Sequence, residues 1–469
     1  MSTTGETGAA TALYRAIWRW HFIAGLLVLP FLVLLAVTGA LYLFSAELDH
    51  AFYRGWDTVV PAGKPLLPAA LVERVQRETH GQVLQISLPE RSDRAARMTV
   101  YVAGTGTRMT FVDPYDGHVR GVTRYGGVMQ VVRKVHSLQL FGPVASWLVE
   151  AAAGWAVVLV GTGVFLWWPR GRGGVLKVRG KPRERVFWRD THAVVGLFTG
   201  AIVVFLAITG MPWSDLWGGK VQDWATNAGL SRPTPPADVL PEWLLENFSQ
   251  PTTTVSTDEH TGGAQAGHHH GGELQSTLPW ALEKSPPPAS LAAGERSRID
   301  LDQAVQQIER AGLARPYSVL LPEGPTSAYA ATYAPDQVEG TRVIYVDQYD
   351  GHVLDDVGYA RFGPAAKAIE WGIAVHQGQQ FGAINRYVML AGCVAIVVLA
   401  VSAVTMWWKR RPRGSLGLPP SPTDRRVYRI VLAIVIPLAI FYPLVGATLL
   451  VALAIEAIAS LVRRHTHAT

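Results

Sequence analysis

The sequence predicts an α-helical transmembrane bundle of four core helices, followed by a C-terminal helix or hairpin, with two α+β modules outside the membrane. Three observations predict it. Apolar runs at 17–44, 147–168, 194–213, 384–408 and 430–462 reach the length of about 20 residues needed to cross the hydrocarbon layer. Charged residues make up only 17% and hydrophobic residues 49%, with 16 tryptophans and a positive mean hydropathy, a balance that belongs to a membrane protein. The chain also repeats itself: His136, Phe141-Gly142 and Trp167-Trp168 recur as His376, Phe381-Gly382 and Trp407-Trp408. In both copies 31 residues separate the histidine from the first tryptophan, so the pattern reads as a tandem duplication.

Residues 1–45 hold a small polar N-terminus and the first helix. That run is too long for a signal peptide and leads into Glu47-Leu48-Asp49 rather than a small-residue cleavage site, so it reads as a retained anchor. His21 lies just inside its start, and Thr38-Gly39 follows 17 residues later. Residues 46–135 form the first module, with a helix at 69–79 and strands at 83–88, 98–102 and 108–112. Asp116-Gly117 turns the last strand into a short return strand. A second helix occupies 136–168, a basic loop 169–190 and a third helix 191–213, where His192 is again followed after 17 residues by Thr209-Gly210. Gly25 and Gly196, four residues after their histidines, allow a helix or a flat cofactor to approach closely.

Residues 214–298 are a linker whose part from 232 onward is rich in Pro, Thr, Gly and His, without a counterpart in the first half. The second module, 299–375, repeats helix (301–311), strands (318–321, 328–333, 342–346) and an Asp350-Gly351 turn. The fourth helix is 376–408, and 409–427 is a second basic loop. The last segment, 428–462, contains Pro437, Pro443 and Gly446. A hairpin of two short helices is favoured there, because a single crossing would leave Arg463 and Arg464 outside.

The net charge of +6 does not point to nucleic acid. Arg170, Arg172, Lys177, Arg179, Lys181, Arg183, Arg185 and Arg189 form one basic cluster, and Lys409, Arg410, Arg411, Arg413, Arg425, Arg426 and Arg429 the other. Both sit in short loops between apolar runs. The positive-inside rule places them in the cytoplasm and both modules outside it, in a multi-pass protein of the cytoplasmic membrane. The single cysteine, Cys393, forbids an intrachain disulfide, and no Cys-x-x-Cys-His attaches haem covalently. There is no Gly-x-Gly-x-x-Gly after a strand, no P-loop and no nucleophile elbow. Any cytoplasmic reductant is therefore a separate molecule.

Four histidines fall at matched positions. His21 and His192 sit near the cytoplasmic ends of the first and third helices, His136 and His376 near the outer ends of the second and fourth. A lone intramembrane histidine is as readily explained by a hydrogen bond to a neighbouring helix. Two per level, from different helices, are what a six-coordinate bis-histidine haem requires, whereas structural zinc wants four ligands at one level. The expected cofactors are thus two haems. Arg19, Arg189, Arg133, Lys134 and Arg386 flank the histidines, where they serve equally as propionate partners or interfacial anchors. His260, His268, His269 and His270 form a second cluster that would bind transition metals only weakly; a solvated linker is the better reading. Asp113, Asp116, Asp347 and Asp350 offer metal ligands too, though turn chemistry already explains them. Trp155, Phe165 and Phe205 lie between the two levels and read as packing residues.

In this order, Trp18-Arg19-Trp20-His21 with Thr38-Gly39, Trp188-Arg189-Asp190-Thr191-His192 with Thr209-Gly210, the two His-x4-Phe-Gly helices ending Trp-Trp, and the two Asp-Gly-His-Val module ends resemble the PepSY-associated transmembrane family. That family includes ferric-siderophore reductases of the bacterial inner membrane. The resemblance covers nearly the whole chain. It implies PepSY-like modules, b-type haem on membrane histidines, and electrons from a quinol or cytoplasmic reductant delivered to a ferric chelate or siderophore outside. The sequence leaves two alternatives: a membrane-anchored PepSY protein that regulates a peptidase or binds a cell-envelope partner, and a metal transporter.

Overall fold

The computed structural model describes residues 3–169, 176–214, 216–230, 278–283, 287–290, 297–412 and 417, with scattered positions between 436 and 458. The chain begins with α1 (Thr3–Tyr42), α2 (Ser45–Asp57) and α3 (Pro68–Thr79), then strands β1 (Gln82–Leu88), β2 (Ala96–Val102), β3 (Gly106–Val112) and β4 (Val119–Arg124). Next come α4 (Gly127–His136), α5 (Pro143–Trp167), α6 (Arg185–Gly210) and α7 (Trp217–Asn227). A single helical turn, Trp280–Glu283, precedes α8 (Leu301–Arg310), β5 (Tyr317–Leu320), β6 (Tyr329–Tyr333), β7 (Arg342–Val346), β8 (Val353–Gly358), α9 (Pro364–His376) and α10 (Gly382–Arg410). They fall into two compact units. One comprises Met1–Phe44, Val131–Asp223 and Val375–Thr469; the other Ser45–Gln130 and Trp224–Ala374.

The first unit is a membrane bundle. Ala12–Tyr42, Val144–Trp167, Arg185–Trp213 and Gly382–Arg410 are long and apolar enough to cross a bilayer. They pack in a ring, α1 against α5, α5 against α6, α6 against α10 and α10 back against α1. Small and aliphatic residues fill the centre: Ala36, Ala156, Val203, Cys393 and Ile396, with Val160 and Leu206 beside them. Tyr442 and Val445 of the C-terminal segment pack with Met211, Trp155 and Trp217. A Cβ on Gly446 would fall 2.6 Å from the Ala439 Cβ, so the chain doubles back between those two residues. The rest of 428–462, and with it the number of crossings, lies outside the described residues.

Two expected helices begin later than the apolar pattern implies. His136 was expected to open the second membrane helix, and His376 the fourth. His136 instead ends α4, and the chain then breaks at Leu138 (φ 55°) and Gly142 (φ 97°) before Pro143 starts α5. Likewise His376 ends α9, and Gly378 (φ 75°) and Gly382 (φ 60°) separate it from α10. Positive φ is cheap for glycine, and proline suits a first helical turn. His136 and His376 therefore each enter from a short helix just before a membrane span.

The second unit holds the modules, expected as two separate bodies. The strands instead form one eight-stranded antiparallel sheet, ordered β4-β3-β2-β1-β5-β6-β7-β8. The join is β1 on β5, with Ile86 opposite Val319 and Ser87 opposite Ser318, whose hydroxyls lie 2.7 Å apart. Two edges that would each expose unpaired backbone groups satisfy one another. The apolar faces of α3 (Leu71, Val72, Val75) and α8 (Ala304, Val305, Ile308) cover one core with Ile86, Val100, Val319 and Ile344. A capping box of Asp300 and Gln303 starts α8. The Asp-Gly turns form as expected: Gly117 (φ 73°) and Gly351 (φ 77°) take positive φ, and Asp113 and Asp347 accept the amide hydrogens of Tyr115 and Tyr349.

Asp57, 2% exposed, supports the first module. Burial pushes its carboxyl up, but Arg97 at 3.2 Å, Arg94 and His50 outweigh this and hold it below the usual carboxylate range. That stability is complete above the unfolded pKa of about 4 and is lost as pH falls through the lower folded value. Asp57→Asn is expected to cost about 2 kcal/mol near neutral pH, with the difference from the parent shrinking below about pH 4. Urea melts at several pH values check this; a constant difference would refute it.

Candidate histidine centre of the membrane bundle

Each of the four matched histidines meets a hydroxyl from a neighbouring helix. His21 Nδ1 lies 2.9 Å from Thr162 Oγ1, and His136 Nδ1 lies 2.8 Å from Thr38 Oγ1. In the second half, His192 Nδ1 is 3.0 Å from Ser402 Oγ, and His376 Nδ1 is 2.9 Å from Thr209 Oγ1. A hydroxyl has a single proton to donate. Thr162 gives it to the Val158 carbonyl (2.7 Å), Thr38 to Leu34 (2.6 Å), Thr209 to Phe205 (2.7 Å) and Ser402 to Leu399 (2.8 Å). The hydroxyl can then only accept from the ring, so Nδ1 carries the hydrogen. Nε2 of all four rings keeps its lone pair. An acceptor on one ring nitrogen that orients the other is the usual support of a metal-binding histidine.

The histidines also pair across the ring of helices. His21 on α1 and His192 on α6 come from helices that are not neighbours, and their ring centres are 6.4 Å apart with planes at 87°. Two imidazoles on opposite sides of one metal, at about 2 Å per metal–nitrogen bond, place their ring centres roughly 6 Å apart. His136 and His376 precede α5 and α10, the other diagonal, and lie within electrostatic reach of one another. From His21 to Thr38 is 17 residues of α1, so the levels are roughly 25 Å apart at 1.5 Å per residue.

The spaces beside the rings are kept small-sided. A Cβ on Gly39 would meet His136 Cε1 at 3.6 Å, on Gly210 His376 Cε1 at 3.5 Å, and on Gly163 His21 Cε1 at 3.4 Å. A Cβ on Gly25 or Gly196 would meet only Leu159 or Leu399 at ordinary contact distance, so helix packing does not demand those glycines.

Among the described residues no third His, Cys, Asp or Glu joins either pair; the one such cluster is Asp347, Asp350 and His352 in the second module. Two imidazoles without further protein ligands suit a planar macrocycle that brings its own equatorial nitrogens, and do not make a structural zinc site. Of the flanking cations, Arg189 pairs with buried Asp190, its Nη2 2.7 Å from Oδ1, and Arg179 joins the same carboxylate. Arg386 lies over the Phe44 ring, and Arg19 is 8% exposed. Trp155 donates to Thr448 Oγ1. His260, His268, His269 and His270 lie outside the described residues.

A sequence model of the family described as the PepSY-associated TM region matches residues 18–410. The chain belongs to the PepSY-associated TM family. No curated protein matches it. Within this PepSY-associated TM protein the matched stretch runs from Trp18, three residues before His21, to Arg410 at the end of α10. It takes in all four histidines and all four hydroxyls that hold them. Thr162 and Ser402 were not singled out from the sequence. The signal was available: each lies 26 residues after the histidine of its own half.

Proposed function

We propose that this membrane protein is a dihaem b-type reductase that delivers electrons to ferric iron, held by a chelate or siderophore, outside the cytoplasm. One observation carries the reading. Four imidazoles of the bundle each have Nδ1 within hydrogen-bond distance of a helix hydroxyl, leaving one pair of Nε2 atoms at each of two levels. Haem, when bound, supplies a one-electron carrier at each level. His21 and His192 would hold the haem nearer the basic loops, on the cytoplasmic side, and His136 and His376 the outer one. The hydroxyls fix ring orientation.

A quinol oxidised to quinone yields two electrons and two protons, enough for two ferric centres to become ferrous. A cytoplasmic reductant would serve equally. Reduction weakens the hold of hard oxygen ligands on iron, and no acid–base residue is needed. The aliphatic centre around Ala36, Ala156, Val203 and Ile396 offers an ion little to bind, which favours electron transfer over metal transport.

The test uses vesicles carrying the haem-loaded protein, with reductant on the basic-loop side and a ferric chelate and impermeant ferrous indicator on the other. Indicator colour that depends on the protein is expected. Fully loaded protein that passes no electrons to any ferric chelate would contradict the reading.

A further inference from the structure

The two levels differ in what their histidines can donate to. At the outer level the acceptor met by each Nδ1 among the described residues is a hydroxyl, Thr38 for His136 and Thr209 for His376. At the inner level a backbone carbonyl stands beside the hydroxyl. His192 Nδ1 lies 3.2 Å from the Leu399 oxygen as well as 3.0 Å from Ser402 Oγ. His21 is held by Thr162, whose hydroxyl lies 3.1 Å from the Leu159 oxygen. Leu159 and Leu399 occupy matching places, each three residues before the hydroxyl that anchors the ring.

The difference originates in how the hydroxyls sit on their helices. Ser402 gives its proton to Leu399, three residues back, and Thr162 lies within 3.1 Å of Leu159 as well as bonding Val158. Thr38 turns to Leu34 at 2.6 Å and stays 3.4 Å from Leu35. At Ser402 the hydroxyl thus leans toward the i−3 carbonyl that the His192 ring also reaches. A carbonyl is a stronger acceptor than a hydroxyl, and a stronger acceptor on one ring nitrogen makes the other more basic. A more electron-rich axial ligand favours the oxidised metal and lowers its potential.

We infer that the Leu399 carbonyl, through His192, makes the inner histidine pair the lower-potential site, so that electrons run downhill from the cytoplasmic level to the outer one. This rests on the dihaem reading above and adds to it an order of potentials and the group that sets it. Each transfer moves one electron: the inner site is oxidised and the outer site reduced, with the donor refilling the first and the ferric chelate emptying the second. The same asymmetry predicts that the inner level tolerates loss of the Ser402 hydroxyl, because the Leu399 carbonyl still receives the ring N–H. Among the described residues the outer level has no second acceptor of this kind.

Potentiometry of the purified full-length protein, followed in the visible spectrum, reads both sites. His136→Ala leaves the inner site and His21→Ala the outer, which assigns each transition. The inner site is expected to be harder to reduce by at least about tenfold in the electron-sharing equilibrium, which is about 59 mV for a one-electron couple. Equal potentials, or the reverse order, would overturn the inference while leaving two haems in place. Ser402→Ala is expected to keep its haem and its low-spin electron-resonance signal; losing that haem would also overturn it. Protein without any haem bands would show the different failure, that of the dihaem reading itself.

Discussion

Replacing His136 with alanine is expected to remove one of two haems and leave the other spectroscopically unchanged. Without His136 only His376 would remain to hold the second haem, while His21 and His192, 6.4 Å apart by ring centres, are untouched. The double variant His136→Ala with His376→Ala should lose no more haem than either single change, because both remove the same site. Such non-additivity is the signature of residues that act as a unit. The combination of His136→Ala with His21→Ala should instead lose both haems. Haem per chain after purification reads all of these. If His136→Ala with His21→Ala lost only one haem, the pairing of α1 with α6 and of α4 with α9 would be wrong.

Removing the outer hydroxyls is the second large effect. Thr38→Val and Thr209→Val keep side-chain volume and the β-branch but leave His136 and His376 without the hydroxyl acceptors 2.8 and 2.9 Å away. Loss of such a supporting hydrogen bond typically lowers metal affinity by about 10–100-fold. Each valine variant should therefore shed the outer haem on dilution or haem competition. Serine at either position restores a hydroxyl and should restore retention. Helix content should not change, since each threonine also bonds its own helix backbone, which makes no demand on the fold. Equal haem retention in valine and parent proteins would refute the assigned role of Thr38 and Thr209.

Much of this was legible in the sequence, for physical reasons. Membrane runs are long, so four of them survive any window. The module strands showed because short apolar runs rich in β-branched and aromatic residues recur between turns, and β3 and β7 lead into Asp-Gly turns. Histidine is costly in a bilayer, so His21 and His192 stood out beside the repeated His136 and His376. Other features left weaker traces. The union of the two modules depends on β1 finding β5, an edge-to-edge choice that neither strand's own pattern encodes. The break before α5 was hidden because 136–142 continues an apolar, Phe-Gly-containing stretch, and only Gly142-Pro143 hints at a fresh start. Thr162 and Ser402 were missed because a hydroxyl inside an apolar helix is ordinarily satisfied by its own backbone, as these are. Their common offset from His136 and His376 was disguised by one being threonine and the other serine.

The central claim is that the four histidines hold two haems. The most direct measurement is the reduced-minus-oxidised absorbance of protein purified after expression with ample haem, with haem quantified per chain. The account predicts b-type bands and two haems per chain. Protein that is folded, fully supplied and free of those bands would contradict it.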